Sequence, residues 1–271
     1  RDALRALVLS KEGDHRESAA RALLASADPE AVDWLLAAVD DGKVEPEIAI
    51  DALSGAPWSA TGDFFRRFIE DDAYSLDLRL EALRAIGDVG GDASLFIVET
   101  ATTSDAAELR ASAYDALALQ HDDESLPARQ IAPRIFAEED PSVRASLYDY
   151  LTMHPRASFS GESKQRLLER ILSETHADAR LGAATFLAQQ IRSTGDPEFA
   201  HAFEDDMVPW LVESSTRGAI ASERRRSTEA LALSGTPAAR AALEELSRSE
   251  DRDLAAMAKD AMARPSPPAG P

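Results

Sequence analysis

The sequence predicts an all-α fold made of stacked helix pairs, and three observations predict it. One motif recurs from end to end of the chain. Inside each copy the apolar positions fall three and four residues apart, the period of a helix with one buried face. No stretch alternates apolar and polar residues as a half-buried strand does, β-branched runs are absent, and Ala, the strongest helix former, is abundant.

The motif is an acidic residue, an apolar residue, Arg, two residues, Ala, two residues, Ala and Leu. Its clearest copies are Asp77-Leu78-Arg79 with Ala82, Ala85 and Ile86, and Glu108-Leu109-Arg110 with Ala113, Ala116 and Leu117. Others start from Arg16, Arg144, Arg180 and Arg224, and two weaker ones have Pro46 and Ala255 in the Arg position. That position falls at 16, 46, 79, 110, 144, 180, 224 and 255, giving steps of 30, 33, 31, 34, 36, 44 and 31 residues. Each step has room for two helices and two turns, so about seven antiparallel helix pairs plus end caps are expected. A helix pair cannot bury its apolar face alone; stacked neighbours share one core.

The turns repeat too. A small-residue break is followed by Asp or Thr and then Pro, as in Ser26-Ala27-Asp28-Pro29, Thr194-Gly195-Asp196-Pro197 and Ser234-Gly235-Thr236-Pro237. Gly ends one helix in the left-handed region, Asp or Thr caps the next, and Pro sits in a first turn where its missing N–H has no partner to lose. Gly90-Gly91 does the same work without Pro. The second helices share a frame of two large apolar residues, two variable ones and another apolar residue. Leu35 to Val39, Phe64 to Phe68 and Leu167 to Ile171 are clear copies; Ile131 to Ile135 and Ala242 to Leu246 are looser.

These Leu-Arg-x-x-Ala-x-x-Ala-Leu copies resemble the HEAT-repeat family, and within it the short bacterial HEAT-like repeats. The resemblance covers roughly residues 14 to 263 and implies a right-handed α-solenoid with first helices on the convex side and second helices on the concave side. Residues 1–263 are therefore expected to form a single repeat domain, followed by a Pro-rich tail at 264–271. The chain opens at Arg1 on what reads as a second helix without its partner, so it is expected to be cut from a larger protein or to use its first ten residues as a cap. The stretch from Asp196 to Gly218 departs furthest from the repeat. Pro209 within it is expected either to bend an extended helix or to leave an extra short segment packed on the edge.

Composition narrows the function. The chain has 271 residues, 29 Lys plus Arg against 49 Asp plus Glu, a formal net charge of −20, and no Cys. Absence of Cys excludes a disulfide scaffold, a thiolate zinc site and a Cys nucleophile. The acidic balance argues against nucleic acid, whose phosphates need a basic surface. No apolar run approaches the roughly 20 residues of a bilayer span, so no membrane insertion is expected.

The search for chemistry finds no catalytic pattern and no cofactor fingerprint. The five His (His15, His121, His154, His176 and His201) share no helical face, and none is followed by Glu. A HEAT-like di-iron hydroxylase family uses repeated His-Glu pairs as ligands, so that activity is not expected here. His121-Asp122-Asp123-Glu124 is too sparse for a metal, which needs three or more converging ligands. Some HEAT-like proteins act as lyases or chaperones for bilin attachment; no residue here carries that chemistry.

The variable pair of the second-helix frame reads Ala-Ala, Arg-Arg, Pro-Arg, Glu-Arg and Glu-Glu along the array. Arg66, Arg67, Arg134 and Arg170, with Arg129 and Arg166 beside them, suggest a locally basic groove for an acidic peptide or a phosphate. Acidic clusters at Asp40-Asp41, Glu70-Asp71-Asp72, Glu138-Glu139-Asp140 and Glu250-Asp251 recur where one repeat hands over to the next. They suit either helix N-termini, whose dipole favours carboxylates, or an acidic ridge. The expectation is a scaffold that binds a protein or peptide through Arg66, Arg67, Arg134 and Arg170, with no catalysis and no cofactor. The alternative is an enzyme on a HEAT-like scaffold acting on nucleic acid or a tetrapyrrole.

Overall fold

The computed structural model describes residues 1–271 apart from 11–14, 27, 29, 55, 88, 90, 91, 121–129, 155–158, 219 and 265–271. The Gly90-Gly91 turn, His121 to Glu124, Arg129 and the Pro-rich tail beyond Arg264 lie outside the described residues. Within the described residues the fold is all-α, with no strand. The chain divides into two compact units, residues 1–123 and 124–271, inside the span that the motif marks as one array.

The first unit holds α1 (Asp2–Val8), α2 (Arg16–Ala25), α3 (Ala31–Asp40), α4 (Pro46–Leu53), α5 (Trp58–Glu70), α6 (Leu76–Ala85), α7 (Asp92–Thr103) and α8 (Ala107–Leu119). The motif-bearing helices α2, α4, α6 and α8 pack one on the next, and α3, α5 and α7 form a parallel row beside them. This is the stacked-pair arrangement that the motif predicts. Helix α1 packs on α2 as a second helix packs on the motif helix that follows it. The core of the second row is aromatic: the Phe64 and Phe68 rings lie 4.8 Å apart, Phe68 and Tyr74 4.4 Å, and Trp58 and Phe96 5.5 Å.

The second unit holds a 3-10 turn at Ala132–Phe136, then α9 (Pro141–Met153), α10 (Glu162–Leu172) and α11 (Ala177–Thr194). After these come α12 (Pro197–Ala202), a π turn at Phe203–Met207, α13 (Val208–Arg217), α14 (Ala221–Ser234), α15 (Pro237–Leu246) and α16 (Arg252–Ala263). Its motif helices α9, α11, α14 and α16 again stack in sequence. Two expectations are refined here. The Ile131 to Ile135 frame leaves the α-helix after Ile131; Pro133 has no N–H to give an interior turn, and Ala132–Phe136 tightens to 3-10 geometry. The long departure is the bent-helix alternative: α12, the π turn and α13 run on without a break. Widening to i→i+5 just before Pro209 absorbs the donor and the space that the ring removes.

Packing follows the motif position by position. The first Ala of each copy is buried wherever it occurs: Ala19, Ala49, Ala82, Ala113, Ala183 and Ala258. Leu147 and Ser227 take its place in two copies and are equally buried. A small side chain there lets neighbouring motif helices approach closely. At the α9–α11 crossing even Ala is crowded: a Cβ on Gly182 would sit 3.1 Å from the Ala145 carbonyl oxygen and from the Tyr148 Cβ. The expected turns are also found. Gly195 and Gly235 have φ of 64° and 62°. The Asp196 carboxylate accepts from the Glu198 N–H at 2.9 Å, and the Thr236 hydroxyl from the Ala239 N–H at 3.4 Å.

Five of the six motif arginines reach backwards; Arg180 instead lies against the Trp210 ring. Nε of Arg16 donates to the Val8 carbonyl at the end of α1 (2.8 Å), Nε of Arg79 to Ile69 at the end of α5 (2.9 Å), and Nε of Arg224 to Ser215 near the end of α13 (2.9 Å). Arg110 gives Nη1 to the carbonyls of Ser104 and Asp105 just beyond α7 (2.9 and 3.1 Å). Arg144 gives Nη1 to the carbonyl of Glu139 (2.6 Å). Each guanidinium thus satisfies carbonyls left over where the preceding helix ends. Three of them also reach forward into the next pair: Arg16 to Glu45 (2.6 Å), Arg144 to Glu174, and Arg224 to Asp251. These contacts form a ladder between successive pairs. Its acids are turn residues of the next pair rather than the acid two places before the Arg.

Arg144 and Glu174 form the most buried rung. Nε and Nη2 of Arg144 donate to the two Glu174 oxygens at 2.6 and 2.7 Å, the Tyr148 hydroxyl donates to Glu174 at 3.3 Å, and the Glu174 side chain is 1% exposed. Burial and the adjacent carboxylate push the Tyr148 hydroxyl far above its ordinary pKa, so it stays a donor. Glu174→Ala is expected to lower the unfolding free energy by about 3 kcal/mol, because it strands a largely buried guanidinium. Arg21→Ala, which removes an exposed Asp51 pair, is expected to cost under about 1 kcal/mol. Urea titration of both variants checks the contrast.

Acid acts on the same rungs. The Arg16 guanidinium holds the Glu45 carboxyl below the ordinary range, the Lys164 ammonium does so for Asp196, and the Leu254 N–H with Arg224 does so for Asp251. A carboxyl whose folded pKa lies below its unfolded value stabilises the fold above the unfolded value, and that gain is lost as pH falls through the folded one. Glu81 runs the other way, raised by partial burial and by the charges of Glu47, Asp51 and Glu17. With three lowered groups against one raised, the urea midpoint is expected to fall from pH 5 to pH 3. Asp251→Asn is expected to flatten that fall, measured by circular dichroism across the range.

Candidate functional site

The second-helix frame places its variable pair outward, as expected. Arg67, Pro133, Arg134, Glu169, Glu244 and Glu245 are exposed and Arg66 and Arg170 half-buried, while Ala38 is the one variable residue that turns inward. The four arginines singled out from the sequence nevertheless have different surroundings. In the first unit Arg66 lies with its Cζ 4.4 Å from the centre of the Phe96 ring and with Nη1 3.7 Å from Glu70 and 3.9 Å from Glu99. Arg67 pairs with Asp40 at 2.7 Å and lies 5.0 Å from the Phe68 ring. In the second unit Arg170 donates to the Glu138 carbonyl at 2.5 Å and faces Glu174 at 3.8 Å, so it belongs to the Arg144 rung. Arg134 is exposed, and its guanidinium has no acceptor among the described residues. Arg166, on the exposed side of α10, meets only an aromatic face among the described residues, with Cζ 4.6 Å from the Phe136 ring.

The acidic clusters work largely within the fold. Asp140 accepts from the Ser142 and Val143 N–H groups at the start of α9, and Asp251 from Asp253 and Leu254 at the start of α16. Asp40 holds Arg67, Asp41 holds Lys43 at 2.6 Å, and Asp72 holds Arg79. Helix capping therefore accounts for Asp140 and Asp251, whereas Asp40-Asp41 and Glu70-Asp71 lie at the ends of α3 and α5, where Asp40, Asp41 and the adjoining Asp72 hold cations instead. No group of three or more His, Asp or Glu converges on a metal-sized space among the described residues. No described helix is long and apolar enough to cross a membrane.

Two clefts stand out. In the first unit, a polar cleft of about 260 Å³ lies beside the ends of α5 and α7, between Glu70, Asp72, Arg79 and Glu99. In the second unit, a larger cavity of about 570 Å³ lies among α11, α14, α15 and α16. Sequence reasoning missed it, because its lining comes from four helices and falls largely outside the recurring motif and frame.

No known family model matches the chain, and no curated protein matches it. Among solved structures it is similar to the complex of CpcE and CpcF of phycocyanin lyase from Nostoc sp. PCC7120. The identity is 18% and the TM-score 0.44, covering 93% of this chain and 96% of that one. It is also similar to human deoxyhypusine hydroxylase in complex with glycerol, at 18% identity and a TM-score of 0.28, covering 96% and 94%. These two structures correct one expectation. A lyase and a hydroxylase are the neighbours named, so the expectation that this array catalyses nothing does not stand.

Proposed function

We propose that the chain is a HEAT-like repeat protein of the short bacterial type that holds an acidic segment of a protein partner, whether substrate or subunit, against the second helices. The observation that carries this reading is the contrast among its arginines. Arg134 and Arg166 stand on neighbouring elements of the second unit, the 3-10 turn and α10. Both are exposed, and neither meets a carboxylate or a carbonyl among the described residues. A partner carboxylate gains a charge-assisted hydrogen bond there without displacing an internal one. The Phe136 ring beneath Arg166 offers apolar contact at the same place and keeps the guanidinium from collapsing onto a neighbour. Arg66 and Arg67, in the first unit, offer a separate surface of the same chemistry. Their internal ion pairs are exposed and weak, so exchange for a partner carboxylate costs little. Arg170 serves from within, by fixing the Glu138 carbonyl next to the turn.

A labelled peptide alternating Asp or Glu with Phe or Leu is the probe. Fluorescence anisotropy with the full chain is expected to show saturable binding, weakened tenfold or more in Arg134→Glu/Arg166→Glu. The reading fails if that variant, folded by circular dichroism, binds the peptide as the parent does.

A further inference from the structure

The cavity of the second unit is built unlike the surface just described. Its apolar wall comes from Leu233 on α14, Leu243 on α15, and Ala261 and Met262 on α16. Met262 is 42% exposed at this wall, one of the few large apolar side chains that the fold leaves in water. The charged residues around it sort into two kinds. Arg264 is neutralised by Glu229 at 2.7 Å and Asp260 at 2.8 Å, and Glu244 faces Arg248 at 3.8 Å. Arg192, in the last turn of α11, and Arg240, in the first turn of α15, have no carboxylate or carbonyl acceptor among the described residues. Two uncompensated guanidiniums therefore border an apolar wall, in a protein whose net charge is −20.

One bordering turn of the cavity, from Gly235 to the start of α15, is fixed by its own backbone. Gly235 ends α14 with φ of 62°, a conformation that favours Gly. The turn that follows is fixed by the buried Thr236 hydroxyl, which caps α15 and so sets where Arg240 starts. Nη2 of Arg240 lies 3.8 Å from the point where a Gly235 Cβ would stand, so the guanidinium lies over the turn. The volume of about 570 Å³ falls within the range of small-molecule sites.

We propose that this cavity binds a carboxylate-bearing amphiphile, an organic acid with an extended hydrocarbon body. Its carboxylate meets Arg192 and Arg240, and its body lies along Leu233, Leu243 and Met262. Each property excludes a class of ligand. A cationic amphiphile meets two unpaired positive charges. A small inorganic anion leaves the apolar wall in water. A neutral hydrocarbon or alcohol leaves both guanidiniums without the bidentate partner that their planar geometry matches. The site is separate from the Arg134–Arg166 surface, so either proposal can fail without the other.

The test uses the full chain and dodecanoate below its micellar concentration, followed by isothermal titration calorimetry. Dodecanol and dodecyltrimethylammonium are the head-group controls. One-to-one dodecanoate binding is expected, at least tenfold tighter than dodecanol, with no saturable binding of the cation. Arg192→Ala/Arg240→Ala is expected to weaken dodecanoate binding tenfold or more, and Arg192→Lys/Arg240→Lys to keep a larger share of it. Met262→Glu, at a partly exposed position, is expected to abolish it; all variants should keep the parent melting temperature. Absence of one-to-one dodecanoate binding overturns the proposal. So does equal affinity for acid and alcohol, or unchanged affinity in the double Ala variant.

Discussion

Wherever one helix pair stacks on the next, the carbonyl end of the finished helix meets the start of a new motif helix. Those last carbonyls have no intrahelical donor, and leaving one buried without a partner costs about 1–3 kcal/mol. A guanidinium suits the job: it offers several donors in a plane, so one side chain reaches back to a carbonyl and forward to a carboxylate together. Arg16, Arg144 and Arg224 do both, and Arg79 and Arg110 do the first. Arg180 does neither among the described residues: its Cζ lies 5.0 Å from the Trp210 ring and its buried Nε has no acceptor. The copies without Arg show that the carbonyls are the constraint and Arg one solution to it. Ahead of Pro46, α3 closes its own end. Gly42 takes φ of 67°, the Lys43 N–H returns to the Ala38 carbonyl at 2.9 Å, and the Gly42 N–H goes to Val39 at 2.9 Å. Ahead of Ala255, the N–H groups of Ser247, Arg248 and Ser249 fold back onto Leu243, Glu245 and Leu246.

The same constraint explains why an acidic protein keeps its few basic residues mostly as Arg. Lys43 and Lys164 each hold turn carboxylates, but an ammonium lacks the planar fork that spans a carbonyl and a carboxylate at fixed angles. The surplus of acid is then less wasteful than the net charge suggests. Asp140, Asp196 and Asp251 each cap a helix, and Glu45, Asp196 and Asp251 each hold a cation of the preceding pair.

How far the sequence can be read follows from which groups repeat. Helix pairing, the buried Ala position, the Gly–Asp–Pro and Gly–Thr–Pro turns and the outward variable pair were legible, because each is a local pattern repeated many times. The partner of the recurrent Arg was not. The nearest acid in sequence, two residues earlier, points to the wrong carboxylate; the true partners lie 27 to 30 residues on, in Glu45, Glu174 and Asp251. Pro133 marked a departure from the frame without saying that the turn tightens. Pro209 left two outcomes open, and the choice depended on whether the turn before it could widen to take up a missing donor.

The arginines of the second helices make the same point about function. Arg66, Arg134 and Arg170 occupy equivalent or adjoining frame positions, and a sequence pattern treats them alike. Their availability is set by what stacking brings beside them: Phe96, Glu70 and Glu99 for Arg66, the Glu138 carbonyl and Glu174 for Arg170, and, among the described residues, no acceptor for Arg134. Arg192 and Arg240 fall outside every pattern, one at the end of an unusually long motif helix and one just past a cap. A solenoid conserves the residues that hold one pair to the next at fixed positions. Groups left over from that task have no register to obey, so they become visible only after the helices are packed and the internal acceptors have been assigned.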